Sequence, residues 1–339
     1  MNIDHPASEG REWVRGWMEV AGERLLPEEA LSRVRSNPLA AAVFGGEFSL
    51  SWDGCTARDR LGIVPGPGPA GMITCGGAAI GEVNPHYPRM DLETAIREAV
   101  RLRADEGVVA LSGGVDSSLV AILAGLPCLA VGIEGSHDLE KADKAARLFG
   151  LDCTRVVIHP GEVEDALAAV MSVIPQKSTV DAVIATTLFF ITRAAHDIGA
   201  LRVLIGQGAD ELFGGYARYL AAKDVEAQLA ADFVTLGSQA ERDQAVAAIH
   251  GILLSLPYLD LRVVDAAKAI PAERKVAGGL RKVALREVAE RYMPRDLAWR
   301  EKKAMQYGSG VAKEVRRLAG RKGFCRIGDY LAHLAGERA

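Results

Sequence analysis

The sequence predicts an α/β protein: a doubly wound parallel sheet with a helical C-terminal part and a small β-containing N-terminal domain. From Met90 onward, short apolar runs alternate with helical stretches, which is typical of strands joined by crossover helices. The runs are almost continuously apolar, as expected of strands buried on both faces of a parallel sheet. A glycine-rich turn follows the first run, at the sheet edge where such folds bind their ligands.

The predicted strands of this sheet are Val108–Leu111, Cys128–Ile133, Thr154–Ile158 and Leu201–Ile205. The predicted helices are Ser117–Ala124, Leu139–Phe149, Gly161–Val173 and Ile184–Ile198. After Leu212 the sequence is typical of an almost wholly helical segment.

Residues 1–90 differ from the rest and are predicted to form a separate domain, with residues 91–339 as the main domain. Helical patterns around residues 11–35 lead into β-like runs that Gly and Pro interrupt, as in Val64-Pro-Gly-Pro-Gly-Pro69. The β-like runs are Phe48–Trp52, Ala70–Cys75 and Ala78–Val83.

The composition is that of an ordinary globular protein, with 49% hydrophobic and 25% charged residues among 339. No apolar run approaches the roughly 20 residues of a membrane span, and the polar N-terminus lacks a signal-peptide pattern. We therefore expect a cytoplasmic protein with no membrane partner. The cysteines form no CxxC pair and are predicted to be reduced thiols, neither disulfides nor a zinc site. They are Cys55, Cys75, Cys128, Cys153 and Cys325.

Charge is unevenly distributed along the chain. The net charge is −4, but between Glu273 and Arg326 sixteen Lys/Arg stand against six Asp/Glu. Such a cationic segment suits a polyphosphate ligand and would also suit RNA, while a solvated helical face is the plain alternative.

The most informative motif is Ser112-Gly-Gly-Val-Asp-Ser-Ser118, which lies between a predicted strand and a predicted helix. Free N–H groups and the helix dipole favour a phosphate at such a helix start, and Gly113 and Gly114 allow the backbone to approach it. Asp116 suits a phosphate site if a metal ion lies between the two, so we predict a nucleotide with magnesium. A simple turn with an N-terminal aspartate is the alternative.

A second motif, Gly206-Gln-Gly-Ala-Asp-Glu-Leu-Phe-Gly-Gly-Tyr216, also follows a predicted strand. Its carboxylate, Asp210, can reach the same sheet edge as Asp116, and two aspartates could hold magnesium on a pyrophosphate. Taken alone, the segment is equally typical of a turn before a capped helix.

Together these motifs resemble class B asparagine synthetases, members of the ATP pyrophosphatase (PP-loop) superfamily, which cleave ATP between the α and β phosphates. The SGGVDSS segment is similar to their pyrophosphate loop, and the second motif to their GEGADELFGGY. Further similar segments are Ala130–Asp138, Leu256–Arg262, Gly279–Arg286 and Trp299–Lys302. The resemblance covers roughly residues 90–312, in order, which is more specific than any single motif.

The resemblance implies an amide-forming ligase that uses ATP and Mg²⁺ to adenylate aspartate or a related acid, and then transfers the acyl group to ammonia or another amine. It implies that Lys302 faces the reacting α-phosphate, with Arg300 and Lys282 as weaker candidates. It implies Asp116 and Asp210 as magnesium ligands. The implied pyrophosphate residues are Ser112, Gly113, Gly114, Asp116 and Ser117, and those around adenosine are Ala110, Leu111, Val131 and Gly206.

The chain departs from the family pattern at Gln207, where the synthetases usually carry a glutamate near the amine nucleophile. Glutamine keeps the size but cannot act as a base at neutral pH. Either no base is needed at this position, or the acceptor differs, or the variation has little consequence.

The N-terminal region departs further. Thr56–Ile63 resembles a strand of the family's glutaminase domain, but Met1 is followed by Asn2 where glutamine-dependent members begin with a nucleophilic cysteine. We expect a truncated glutaminase-like domain that does not hydrolyse glutamine, so that ammonia, another amine or a separate glutaminase supplies nitrogen.

The sequence does not identify the acceptor substrate. In Gln176–Thr187 the basic residue expected for aspartate recognition is replaced by Val183, and Asp181 and Thr186 either line the acceptor pocket or cap a helix. The alternatives are a PP-loop enzyme with another acceptor, as in β-lactam synthetase-like cyclisation or RNA base modification, and a nucleotide-binding protein that has lost turnover.

Overall fold

The computed structural model describes residues 12–300 and 308–336. Its strands are β1 (Trp13–Val20), β2 (Glu23–Leu25), β3 (Gly45–Trp52), β4 (Cys55–Arg58), β5 (Met72–Cys75), β6 (Ala78–Glu82), β7 (Val108–Ala110), β8 (Cys128–Ile133), β9 (Cys153–Ile158), β10 (Arg202–Leu204) and β11 (Leu253–Ser255). The strands form two sheets, a six-stranded antiparallel sheet of order β2-β1-β3-β4-β5-β6 and a five-stranded parallel sheet of order β11-β10-β7-β8-β9.

The helices follow the parallel strands and extend beyond them. They are α1 (Pro27–Ser36), α2 (Leu92–Arg101), α3 (Val115–Ala124), α4 (His137–Phe149), α5 (Val163–Val173), α6 (Thr179–Asp197), α7 (Ala209–Phe213), α8 (Val225–Val234), α9 (Leu236–Ala248), α10 (Leu261–Lys268), α11 (Ala272–Lys275), α12 (Val283–Ala289), α13 (Arg295–Ala298), α14 (Val311–Arg321) and α15 (Ile327–Leu334). Among the described residues, no helix is long and apolar enough to cross a membrane.

The parallel sheet confirms the predicted fold class. The chain runs outward from β7 through β8 to β9, then returns to the other side of β7 for β10 and β11. The strand order therefore reverses between β7 and β10, and a doubly wound sheet opens a crevice at the carboxyl ends of such a strand pair. Both glycine-rich motifs follow these two strands, so the topology brings them to one place.

One secondary-structure prediction is wrong. Residues 13–25 form β1 and β2, where helical patterns were expected, because pairing with β3 in the antiparallel sheet outweighs local preference. Among the described residues after Leu212, the regular elements are helices as predicted, apart from the three-residue β11, which pairs in parallel with β10. Such a short apolar run cannot be distinguished from a buried helix turn by periodicity.

The prediction that all cysteines are reduced is also wrong. Cys55 on β4 and Cys75 on β5 are direct cross-strand partners and form a disulfide. Spacing along the chain gave no sign of this pair, because only the register of the two strands brings the side chains opposite each other. Cys128, Cys153 and Cys325 are free.

A buried charged cluster joins the two sheets. Arg103 donates 2.9 Å hydrogen bonds to Glu47 on β3 and to Asp260 beside α10, and all three side chains are at most 3% exposed. Arg262 pairs with Asp260 and with Glu19 on β1, at 2.7 Å from the latter. Glu47 also accepts from the backbone N–H of Leu256 at 2.7 Å, which ties the antiparallel sheet to the end of β11.

Candidate functional site

The loop after β7 has the geometry of an anion-binding turn. It leads from Ala110 to the start of α3, whose N-cap is Gly114. Gly113 has a φ of +69°, and a Cβ there would lie 2.5 Å from the carbonyl carbon of Lys141, so only glycine fits. The Ser117 hydroxyl lies 3.0 Å from that of Ser112 and accepts from the Ser112 N–H at 3.2 Å, which braces the turn. The first-turn N–H groups of α3 have no intrahelical acceptor and can meet an anion.

The residues predicted around adenosine lie on neighbouring strands at this edge. Leu111 follows β7 and its N–H donates to the Leu129 carbonyl on β8, while Val131 lies further along β8. Gly206 follows β10, and a Cβ there would lie 3.1 Å from the Cβ of Asp116. The structure thus brings the ends of three adjacent strands to the start of α3.

A lysine joins the two predicted metal ligands, and Asp116, Asp210 and Lys282 together are called the cage below. The Lys282 ammonium lies 2.8 Å from both carboxylate oxygens of Asp116 and 2.6 Å from Oδ1 of Asp210. Asp116 and Lys282 are buried, whereas the Asp210 side chain is 30% exposed. The sequence supported Lys282 only as a weaker candidate, although the similar Gly279–Arg286 segment contains it.

Lys282 holds an uncommon backbone conformation. Its φ is +57°, in the left-handed region that non-glycine residues rarely adopt, and it caps the N-terminus of α12. Strain of this kind persists where the surrounding structure fixes it and is concentrated at functional sites. The ammonium of the same residue binds Asp116 and Asp210.

Tyr258 is a site residue that the sequence did not single out. Its hydroxyl donates 3.0 Å to the backbone carbonyl of Asp116, and burial raises its pKa well above the ordinary value, so it remains a donor. It belongs to the Leu256–Arg262 segment, whose resemblance to the family could have identified it.

The donor set suits magnesium held largely by phosphate. Among the described residues, no group of three or more His, Cys, Asp or Glu side chains is arranged to hold a metal ion. Magnesium is commonly bound by one or two carboxylates with substrate phosphates and water, which Asp116 and Asp210 can provide. The two aspartates as magnesium ligands therefore stay a prediction that the donor chemistry fits.

Gln207 lies beside this cage, at the end of a chain of hydrogen bonds. Its Nε2 donates 3.3 Å to Oε1 of Gln239 on α9, and Gln239 Nε2 donates 3.1 Å to Oε1 of Glu211. The Tyr216 hydroxyl donates 2.5 Å to the same Glu211 oxygen. Burial raises the pKa of Glu211, although the hydrogen bonds from Tyr216 and Gln239 lower it in part.

The predicted acceptor region contains a positively charged residue, Arg242, that the sequence did not single out. Arg242 on α9 lies 2.5 Å from Asp181 and 2.7 Å from Asp243. A guanidinium thus reaches Asp181 from another helix, although Val183 is apolar and buried. Thr186 is fully buried and donates to the Ala182 carbonyl within its own helix, so the structure does not bring it to this group.

Lys302 lies outside the described residues. Of its neighbours in the Trp299–Lys302 segment, Arg300 has its guanidinium 3.7 Å from Asp296, and its backbone carbonyl accepts from Arg286 at 3.0 Å. The structure therefore does not place Arg300 with the cage.

Much of the cationic C-terminal segment is paired within the chain. Arg274 pairs with Glu287, Arg295 with Glu290, and Lys322 with Glu164. These three pairs are those of a solvated helical surface, and the segment keeps its excess of positive charge.

The fold and this site define a doubly wound α/β protein with an anion-binding loop and a pair of bridged carboxylates at the topological switch point. The family model for asparagine synthase matches residues 91–242 and 225–323. The chain belongs to the asparagine synthase family.

Relatives agree with this assignment. "Putative asparagine synthetase (glutamine-hydrolyzing) 1" of Methanocaldococcus jannaschii is 33% identical over 288 residues, covering 71% of this chain and 53% of that protein. Asparagine synthetase B (glutamine-hydrolyzing) of Escherichia coli is 29% identical, covering 66% of this chain and 45% of that protein. The chain thus spans about half the length of these curated relatives. Among solved structures, NMN synthetase from Francisella tularensis shows a weak likeness, with a TM-score of 0.29, 14% identity, and coverage of 69% of this chain and 94% of that chain.

Proposed function

We propose that this chain is an ATP-dependent ligase of asparagine synthetase type, which adenylates a carboxylate and then forms an amide with ammonia or another amine. The observation that carries the proposal is the Lys282 bridge between Asp116 and Asp210 at the switch point of the sheet. Family membership supports it.

In this proposal, the loop after β7 holds the pyrophosphate part of ATP. Its glycines allow close approach, and the first-turn N–H groups of α3 meet the phosphate oxygens. The pyrophosphate residues are Ser112, Gly113, Gly114, Asp116 and Ser117, and those around adenosine are Ala110, Leu111, Val131 and Gly206.

The first step forms an acyl adenylate. A carboxylate oxygen of the acceptor attacks the α-phosphorus, the bond to the α,β-bridging oxygen breaks, and pyrophosphate leaves with the electron pair. Lys282 and the positive end of the α3 dipole offset the charge on pyrophosphate, while Lys302 would act at the α-phosphate. Asp116 and Asp210 would hold Mg²⁺, which supplies further charge neutralisation on the phosphates.

The second step forms the amide. The amine nitrogen attacks the acyl carbon, the bond from that carbon to the AMP oxygen breaks, and AMP leaves with the electron pair. The surplus proton on nitrogen passes to the AMP phosphate or to water, since Gln207 cannot accept it. Aspartate is the proposed acceptor and ammonia the simplest nitrogen source.

We propose that residues 1–90 form a glutaminase-like domain in which neither cysteine acts as the nucleophile for glutamine hydrolysis. The two cysteines in this stretch, Cys55 and Cys75, are joined to each other, so neither offers a thiolate nucleophile. Ammonia, another amine, or a separate glutaminase would supply nitrogen.

The test is pyrophosphate release from ATP with Mg²⁺, aspartate and ammonia, compared with glutamine as nitrogen source. Amide and AMP should form with ammonia, and Asp116→Ala and Lys302→Ala should each abolish AMP formation. Release only with RNA would identify a base-modifying enzyme, and ATP binding without AMP under every condition would indicate a protein that has lost turnover.

A further inference from the structure

We propose that Tyr258 is a positioning residue for the start of α3, and that the N-terminal sheet fixes the segment from which it acts. The inference rests on the proposed function, because it takes the loop after β7 and the first turn of α3 as the binding site of the pyrophosphate of ATP. The observation that carries it is the 3.0 Å hydrogen bond from the Tyr258 hydroxyl to the backbone carbonyl of Asp116. It gives the N-terminal sheet a role in the nucleotide site that requires no glutamine hydrolysis.

This hydrogen bond acts on one of the donors proposed for phosphate. The carbonyl of Asp116 and the N–H of Ser117 belong to one planar peptide group. These are the second and third residues of α3, so the Ser117 N–H has no acceptor within the helix and can meet an anion. A hydrogen bond at the carbonyl therefore fixes the direction of that N–H. It also polarises the peptide group, which strengthens the N–H as a donor.

Tyr258 contacts both glycine-rich motifs. It is fully buried in the 3₁₀ turn Pro257–Leu259, between β11 and α10. Its ring packs edge-to-face on that of Phe213, the last residue of α7, with the ring centroids 6.2 Å apart. The next residue, Leu259, packs against Gly208, where a Cβ would lie 2.4 Å from Cδ2 of the leucine. The turn thus packs on the second motif while the hydroxyl donates to the first.

The N-terminal sheet holds the segment that carries this tyrosine at both ends. Before the tyrosine, the N–H of Leu256 donates to Glu47 on β3 at 2.7 Å, and the Ser255 hydroxyl donates to the same carboxylate. After it, Asp260 accepts from Arg103 at 2.9 Å, and Arg103 also donates to Glu47. Because Glu47 is fully buried, one carboxylate of the N-terminal sheet anchors both ends of the segment away from competing water.

The test is the affinity for Mg²⁺-bound ATP, measured by calorimetry without an acceptor on wild type and Tyr258→Phe. The variant keeps the ring and loses only the hydroxyl, so we expect the Kd to rise about fivefold, a change typical of one lost hydrogen bond. The KM for ATP should rise to the same extent, while the KM for aspartate stays unchanged. Loss of folded protein would instead lower the number of binding sites at an unchanged Kd.

The matched control is Tyr330→Phe on α15. Tyr330 is 1% exposed, and its hydroxyl has no hydrogen-bond partner among residues 12–300 and 308–336. The same chemical change there should leave the Kd for Mg²⁺-bound ATP at the wild-type value. A wild-type Kd for Tyr258→Phe would show that the inference is wrong.

A double variant tests the link to the N-terminal sheet. Ser255→Ala removes one hydrogen bond to Glu47 and should raise the Kd about threefold. Added to Tyr258→Phe it should have no further effect, because the hydroxyl that transmits the change is already absent. Two effects that simply add, or a wild-type Kd for Ser255→Ala, would overturn the inference.

The same measurements separate this inference from the proposed function. If wild type does not bind Mg²⁺-bound ATP, the proposed function is wrong and the inference falls with it. If wild type binds it but forms no AMP with any acceptor, only the proposed function is wrong, since the Kd values of the variants still decide the inference.

Discussion

The ammonium of Lys282 lies 2.8 Å from both carboxylate oxygens of Asp116, across 166 residues of sequence. This pair joins the loop after the central strand to the N-terminus of α12, and Asp210 completes it at 2.6 Å. The cation therefore joins the two carboxylates directly.

We expect Lys282→Ala to abolish AMP formation and to lower the free energy of unfolding by about 3 kcal/mol at neutral pH, since it leaves a buried carboxylate uncompensated. Lys282→Arg keeps the charge and should lose less stability. Urea unfolding and pyrophosphate release measure the two effects, with the exposed Lys223→Ala as control. A wild-type unfolding midpoint for Lys282→Ala would contradict this prediction.

Gly215→Ala tests the cage without removing a functional group. A Cβ at residue 215 would lie 1.8 Å from Oδ1 of Asp210 and 2.2 Å from Cε of Lys282, so one of them must move. Because misplacement of about 1 Å can cost a hundredfold in rate, we expect pyrophosphate release to fall about a hundredfold. Gly161→Ala, whose Cβ meets nothing within 4 Å, is the matched control and should behave as wild type.

The disulfide between Cys55 and Cys75 predicts a redox-dependent stability. It closes a loop with a sequence separation of 20, and a cross-link of this length contributes about 3 kcal/mol by restricting the unfolded chain. Reductant should lower the urea midpoint, and Cys55→Ser should remove that response while Cys325→Ser leaves it. Thiol titration of the unfolded protein without reductant should give three free thiols; five would contradict the pairing.

Asp59 predicts a pH-dependent stability. Its carboxylate accepts from the backbone N–H groups of Ile63 and Val64, at 2.9 Å and 3.1 Å, and burial raises its pKa to about 6 from 3.8. Between these values the folded protein binds more protons than the unfolded chain, so the free energy of unfolding should fall as pH rises from about 4 to about 6.

Asp59→Asn removes this titration. Relative to the variant, wild type should lose stability across that window, as urea midpoints at several pH values would show. The exposed Asp53→Asn should follow wild type. Parallel curves for wild type and Asp59→Asn would refute the assignment.

The sequence could predict most of the parallel sheet because its inner strands β7, β8 and β10 are largely buried and almost uniformly apolar. The predicted Cys128–Ile133 coincides with β8, and Val108–Leu111 exceeds β7 by one residue. Residues 13–25 were not predicted as strands because their local sequence pattern does not indicate a strand. Pairing of β1 with β2 and β3 stabilises them in that conformation.

The site likewise contains residues that the sequence could predict and residues that it could not. Asp116 and Asp210 were expected to meet because each follows a strand at the same sheet edge. Lys282 and Arg242 arrive from helices far along the chain, and no strand order predicts where a helix places a long side chain. The Tyr258 hydroxyl binds the backbone carbonyl of Asp116, and a contact with a backbone atom cannot be predicted from the residue types of the two partners.

The N-terminal sheet also supplies carboxylates that balance the charge of buried arginines in the rest of the chain. Glu47 and Glu19 neutralise Arg103 and Arg262, two buried guanidiniums with Asp260 between them. A chain cut near residue 90 would keep both cations and lose two of the three carboxylates that balance them. The boundary visible in the sequence is therefore not an energetic boundary, and the part that resembles a synthetase should not fold stably when expressed without the part before it.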